Sequence, residues 1–284
     1  MARMTGNSAR TVGVLPGLEE TGLSRLVEAG KRLFLAWFSV VLVLVAWETF
    51  ARSGAVTTFL LPPFTMVVER VWADAASGDL VINLGRTLYR ALFGFTVASC
   101  VGITIGILMA RNAAFRWFFD PIVSVGFPMP KIGFLPIFML WFGLYDTSKI
   151  ALIIFDASFP VITATYAATL GVERYTIWSA RMLGSGERNL LWEIILPAAF
   201  PGIMTGLQIA LPISLIIAIV TEMIMGGPGL GGAMIAASRF ADSPGVFAGI
   251  LEIAVAGYFV VRGMAYLRRR LLVWHQEAEE PTTV

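Results

Sequence analysis

The 284 residues are 57% apolar and 14% charged, with a net charge of +2 and a mean hydropathy of +0.78. Soluble domains carry about 25% charged residues, so this composition excludes an ordinary water-soluble domain and requires a membrane as solvent. The single cysteine, Cys100, excludes an intrachain disulfide.

A run of roughly 20 apolar residues is needed to cross about 30 Å of hydrocarbon. In chain order, six runs meet that need, near 33–50, 87–110, 119–142, 149–170, 199–224 and 246–267. The expected fold class is therefore all-α, a polytopic membrane protein with six transmembrane helices. Residues 1–32 are a polar N-terminal tail, too long for the first region of a secretory signal, and 33–50 are read as a retained helix. The second run places Gly94, Ala98, Gly102, Gly106 and Ala110 four residues apart, so one helix face is reduced to small side chains that admit a neighbouring helix. The third contains Pro128, Pro130 and Pro136. Such a span is kinked or broken, and its freed backbone groups require cover from protein, so it is expected to face the bundle. The transmembrane domain so delimited covers 33–270, and residues 271–284 form a second polar tail.

Orientation follows from Lys and Arg placement. With both termini inside, thirteen basic residues fall on the inner side (Arg3, Arg10, Arg25, Lys31, Arg32, Arg111, Arg116, Arg174, Arg181, Arg188, Arg268, Arg269, Arg270). Five fall outside (Arg52, Arg70, Arg86, Lys149, Arg239). The bias predicts cytoplasmic termini and a cytoplasmic loop at 172–198.

Catalytic groupings are sparse. The one Gly-Lys pair, Gly30-Lys31, is followed by Arg32, so the phosphate-binding loop ending in Gly-Lys-Ser/Thr is not formed. The one histidine, His275, lies beyond the last span, which leaves neither a His-based triad nor a zinc site within the membrane. No catalytic residue, metal ligand or cofactor site is assigned. Charges do occur within or beside the apolar runs. Glu48, Asp120 and Arg262 are close enough to span ends to snorkel. Lys131, Asp156, Glu222 and Glu252 either pair structurally or line a solute path, since ionisable groups at membrane depth otherwise cost too much. Lys131 in particular either attracts an anionic solute or neutralises Asp156 or Glu222.

Between the fourth and fifth runs lies WSARMLGSGERNLLWEIILP, Trp178 to Pro197. Gly184 permits a left-handed turn that stops one short helix, Ser185 is a candidate N-cap for the next, and Glu187 suits its positive end. Ile177, Trp178, Met182 and Leu183 are then expected to form an apolar knob. On physical grounds alone, an amphipathic helix lying on the bilayer surface fits as well.

The spacing of Gly184, Ile194, Leu196 and Pro197 resembles the cytoplasmic "EAA" loop of bacterial ABC importer permeases, through which the membrane subunit docks onto its ATPase. PKIGFLPIFMLWFGLYDTSKI (130–150), TEMIMGGPGLGGAMI (221–235), and LPPFTMVVERVW with LGRTLYRALFGF are similar to the permeases of nitrate, sulfonate, taurine and thiamine-precursor importers. The resemblance covers roughly residues 60–270. It implies the type I ABC importer permease fold and a solute pathway across the inner membrane, with small anions or related nutrients as cargo. The implied partners are an ABC ATPase dimer that binds ATP and magnesium, an extracytoplasmic solute-binding protein, a second copy of the permease, and membrane lipid; nucleic acid is not among them. The implied docking residues are Trp178, Ser179, Ala180, Gly184, Ile194, Leu196 and Pro197, and the candidate path residues are Lys131, Asp156 and Glu222. Trp178 stands where the family has its motif glutamate, and an indole there is expected to bury in a groove of the ATPase. An ion-coupled secondary carrier, with Asp156, Glu222 or Lys131 binding the driving ion, is the alternative. A membrane-embedded enzyme is the more distant one.

Overall fold

The computed structural model describes residues 38–274. The two expected polar tails, apart from residues 271–274, and residues 33–37 of the first expected span lie outside the described residues. Residues up to Ala55 and those from Val56 onward form separate compact units. Of the first, helix α1 (38–52) is described, with Glu48 accepting from Arg52 Nε at 2.5 Å along it.

The second unit is helical among the described residues. It contains α2 (Phe64–Ser77), α3 (Asp79–Arg111), α4 (Ala113–Gly126), a 3-10 turn at Lys131–Phe134, α5 (Leu135–Phe142), α6 (Asp146–Leu170) and α7 (Arg174–Met182). It continues through a short turn α8 (Glu187–Asn189), a π-helical turn (Leu190–Ile195), α9 (Leu196–Met225), α10 (Leu230–Arg239) and α11 (Ser243–Leu271). Four helical segments are long and apolar enough to cross a membrane, centred on α3, α6, α9 and α11, and a fifth results if α4 and α5 count as one broken span. The described residues therefore do not reach the expected six.

The third expected span is where sequence and structure differ most. Its first half begins earlier than predicted, at Ala113, where the Asn112 side chain caps the helix by accepting from Ala114 N at 2.8 Å. The chain then breaks after Gly126, and the two halves meet at 98°. Pro128 and Pro130 supply no N–H to continue the ladder, and Pro136 sits at the start of α5, where a missing donor does no harm. The expectation that this span faces the bundle holds for only one side. Val123, Gly126, Lys131 and Leu135 are buried, whereas Trp117, Val125, Leu140 and Trp141 are each at least 68% exposed.

Helix α6 is the central element, packed by small-residue contacts on two sides. A Cβ on Gly102 of α3 would lie 2.7 Å from Val161 Cβ, and one on Gly206 of α9 would lie 2.5 Å from Ala164 Cβ. Both distances are too short for real atoms, so glycine permits the approach. The expected stripe on α3 is thus an internal contact: Gly94, Gly102 and Gly106 meet Ile153, Val161 and Thr165 of α6. Cys100, off the stripe, is exposed and fills no space in the core. Helices α2 and α10, which fall outside the expected spans, lie beside α11. Arg70 joins them by donating to Asp74 at 3.0 Å and to Asp242 at 2.6 Å, while Asp242 caps α11 through Gly245 N.

Candidate functional site

Two polar regions sit at opposite ends of α9. At its Leu196 end, α7 closes in a Schellman turn: Gly184 N donates to Arg181 O and Ser185 N to Ala180 O, both at 3.0 Å. Gly184 has φ +86° and open space around its Cα, so the backbone angle alone requires glycine. Gly186, not Ser185, is the N-cap of α8, and no side chain bonds there, which corrects the expected cap. The chain widens into a π turn just before Pro197, which lacks the N–H that an α turn would use at that point.

The inner face of this loop is packed. Ala180, Leu190 and Ile195 are buried with Val172, Ala199 and Ile203, and Ile177, Ile194 and Leu196 close over them. Ile177 thus belongs to the loop's own core and not to the expected knob. The outer face presents Met182 at 91% exposure, Leu183 at 87% and Trp178 at 54%, the indole meeting Tyr175 edge-to-face at 5.6 Å. Ser179, Gly184 and Pro197 are also exposed. Glu187 accepts from Arg181 of α7 at 2.8 Å and from Arg111 at the end of α3. The Arg181 guanidinium, then Arg111, holds this carboxyl below the usual carboxylate range.

At the Met225 end of α9 the polar groups are sealed. Glu222 has no exposed surface and Arg90 is 1% exposed. Arg90 Nη1 donates to Glu222 Oε1 at 2.5 Å and to Pro228 O at 2.8 Å, and Arg90 Nε donates to Asp146 at 2.9 Å. Thr87 donates to both oxygens of Glu222 and accepts from Leu230 N, Asn83 accepts from Gly229 N, and Gly231 N donates to Glu222. Lys149 donates to Gly226 O at 2.8 Å. Three of these bonds pair Gly226 O, Pro228 O and Gly229 N of the turn Gly226–Gly229, which lies between two helices. A side chain on Gly229, at φ +142°, would collide with the Glu222 carboxylate.

Sequence reasoning singled out Glu222 and missed Arg90. The signal was present: Arg90 lies four residues before Gly94, in phase with the small-residue stripe, so its side chain had to enter the bundle. Lys131 and Asp156 do come together, at 3.2 Å, and not with Glu222. Lys131 also donates to Phe127 O at 3.1 Å and lies 4.7 Å from the Phe159 ring centre. Phe127 forms part of the wall of a cavity of about 430 Å³ between α3, α4 and α6, with Asp120, Ser124, Thr163 and Tyr166.

Residues 102–273 match the family of binding-protein-dependent transport system inner membrane components. The chain belongs to that family. This permease is 32% identical over 254 residues to the taurine transport system permease protein of Escherichia coli (strain K12), covering 88% of this chain and 92% of that one. A putative aliphatic sulfonates transport permease of Bacillus subtilis (strain 168) is 31% identical, covering 84% and 86%. The formylaminopyrimidine transport permease of Halalkalibacterium halodurans is 28% identical, covering 84% and 94%. Among solved structures, an amino acid ABC transporter superposes with a TM-score of 0.57 at 17% identity, covering 69% of this chain and 95% of that one. The inward-facing MetNI methionine ABC transporter does so at 0.52 and 19%, covering 67% and 98%. These two show the type I importer permease fold. The chain is an ABC transporter permease subunit, a multi-pass membrane protein, and the ion-coupled carrier is set aside.

Proposed function

We propose that this permease carries small anionic nutrients of the sulfonate class into the cell, driven by a separate ABC ATPase dimer and fed by an extracytoplasmic solute-binding protein. The observation that carries the coupling part is the loop at 172–198: its inner face is packed, while Trp178, Met182 and Leu183 stand exposed on α7 and the glycine turn that closes it. Apolar groups held out on a fixed scaffold suit a groove in a partner better than they suit water. Ala180, Ile194 and Leu196 hold the knob from within. Gly184 and Pro197 set its backbone, and Ser179 lies on the outer surface beside Trp178. The sulfonate class rests on the relatives named for taurine and aliphatic sulfonates.

Two copies of the subunit would cover the apolar faces that α4 and α5 leave open. Residues 33–50 supply the sixth span in this reading, and both termini are cytoplasmic. Lys131 and Asp156 border the solute path beside the cavity at Phe127. Glu222, bound on all sides, is assigned to holding the turn after α9.

The test is uptake and ATP hydrolysis in vesicles containing the permease, its ATPase and its binding protein, with taurine and an alkanesulfonate as solutes. Gly184→Val, which strains a left-handed position by about 1–2 kcal/mol, should insert normally and lose solute-stimulated ATPase activity. Wild-type stimulation in that variant would refute the coupling role.

A further inference from the structure

Arg262 lies in the last third of α11, nine residues before the helix ends at Leu271, and is exposed. Other cations set into the apolar spans have acceptors: Arg90 has Glu222 and Asp146, Lys131 has Asp156, and Lys149 donates to Gly226 O. Arg262 has no carboxylate among the described residues. Its Nε donates to Tyr258 OH at 3.2 Å and its guanidinium lies 5.6 Å from the Tyr258 ring centre, which leaves both terminal nitrogens without an acceptor among the described residues. A guanidinium facing hydrocarbon requires an anion or water, and its planar fork matches a phosphate.

Beside it runs a groove of about 260 Å³ between α9 and α11, lined by Pro212, Tyr258, Val261, Met264 and Ala265, with Gln208 as its polar lining residue besides Arg262. Gln208 accepts from Arg268 Nη1 at 2.6 Å and Thr205 from its Nη2 at 3.4 Å, so a second guanidinium, already hydrogen-bonded to α9, stands at the groove's edge. Arg268 is six residues beyond Arg262, about 9 Å along the axis, a distance that a snorkelling arginine and a headgroup can close together. Arg269 and Arg270 follow, both exposed. The apolar wall, the two arginines and the lack of any carboxylate in the lining fit one occupant. We propose that this groove binds an anionic phospholipid, its phosphate on the Arg262 fork, toward the basic end of α11, and one acyl chain along Pro212, Val261 and Met264. The site does not depend on the coupling role of the 172–198 loop.

The assembled transporter, stripped of lipid in detergent, would be titrated with dioleoylphosphatidylglycerol or dioleoylphosphatidylcholine and followed by native mass spectrometry. The expected result is retention of the anionic lipid at least fivefold over the zwitterionic one, a preference that Arg262→Gln abolishes and that millimolar inorganic phosphate does not displace. Ala265→Trp, which fills the groove with Arg262 intact, should lower retention of the anionic lipid as well, and it decides the matter if Arg262→Gln fails to fold. Equal retention of the two lipids, unchanged retention in either variant, or efficient cross-linking of Val261→Cys between two copies in the membrane would overturn the proposal.

Discussion

At the Met225 end of α9, an arginine, a glutamate and a glycine-rich turn close on one another inside the chain. At the Leu196 end, a glutamate, two arginines and a glycine turn remain on the surface. The ingredients are alike and the burial is opposite. Inside, each charge is committed: Glu222 accepts from Arg90, Thr87 and Gly231, so the ions position the turn after α9. Outside, Glu187 is 62% exposed and joins α3 to α7 under solvent screening, while the apolar side chains beside it have no cover. Exposed ion pairs contribute little to stability, so the second region adds little to the fold and its surface is left for the docking role proposed above, whereas the first holds the turn after α9.

The sharpest break of this contrast is Arg90→Ala. It strands the Glu222 carboxylate where water cannot reach and should cost about 3–5 kcal/mol, seen as loss of the monodisperse peak and a collapsed melting transition in detergent. Replacing Arg90 and Glu222 together by methionine should be milder than the single change, because no uncompensated buried charge remains, the other partner, Asp146, being 48% exposed. A single variant as stable as wild type would remove the structural role of the pair.

Lys131→Met should fall between the extremes. Asp156 loses its partner but keeps 17% of its side chain exposed, so the expected loss is about 1–3 kcal/mol, with a larger fractional fall in anion uptake. Melting and uptake measured on the same preparation separate the two effects. An unchanged uptake rate per folded transporter would leave Lys131 as a structural partner only.

Trp178→Ala should change the stability of the isolated subunit least, within about 0.5 kcal/mol, because the ring already faces outward. Its effect belongs to the complex: ATPase association should weaken by about 2 kcal/mol, roughly 30-fold. Unchanged co-purification with the ATPase would place the indole against lipid or solvent, and the contrast between the two ends of α9 would lose its functional half.

Residue order alone determined the long spans, since a run such as 199–224 has no stable state in water and only a helix satisfies its backbone in hydrocarbon. It also determined the stripe on α3, the stop at Gly184 and the proline break after Gly126, because each depends on local sterics or on a missing donor. Three assignments required the tertiary structure. Glu222 had no assigned partner until α3 and α9 packed together and brought Arg90 to it, and Lys131 had two candidate carboxylates until the fold brought it to Asp156. Ile177 read as part of an exposed knob until α7 folded over Val172 and Ile195. Burial and charge pairing are properties of segments far apart in sequence, and no local pattern specifies which of them will meet.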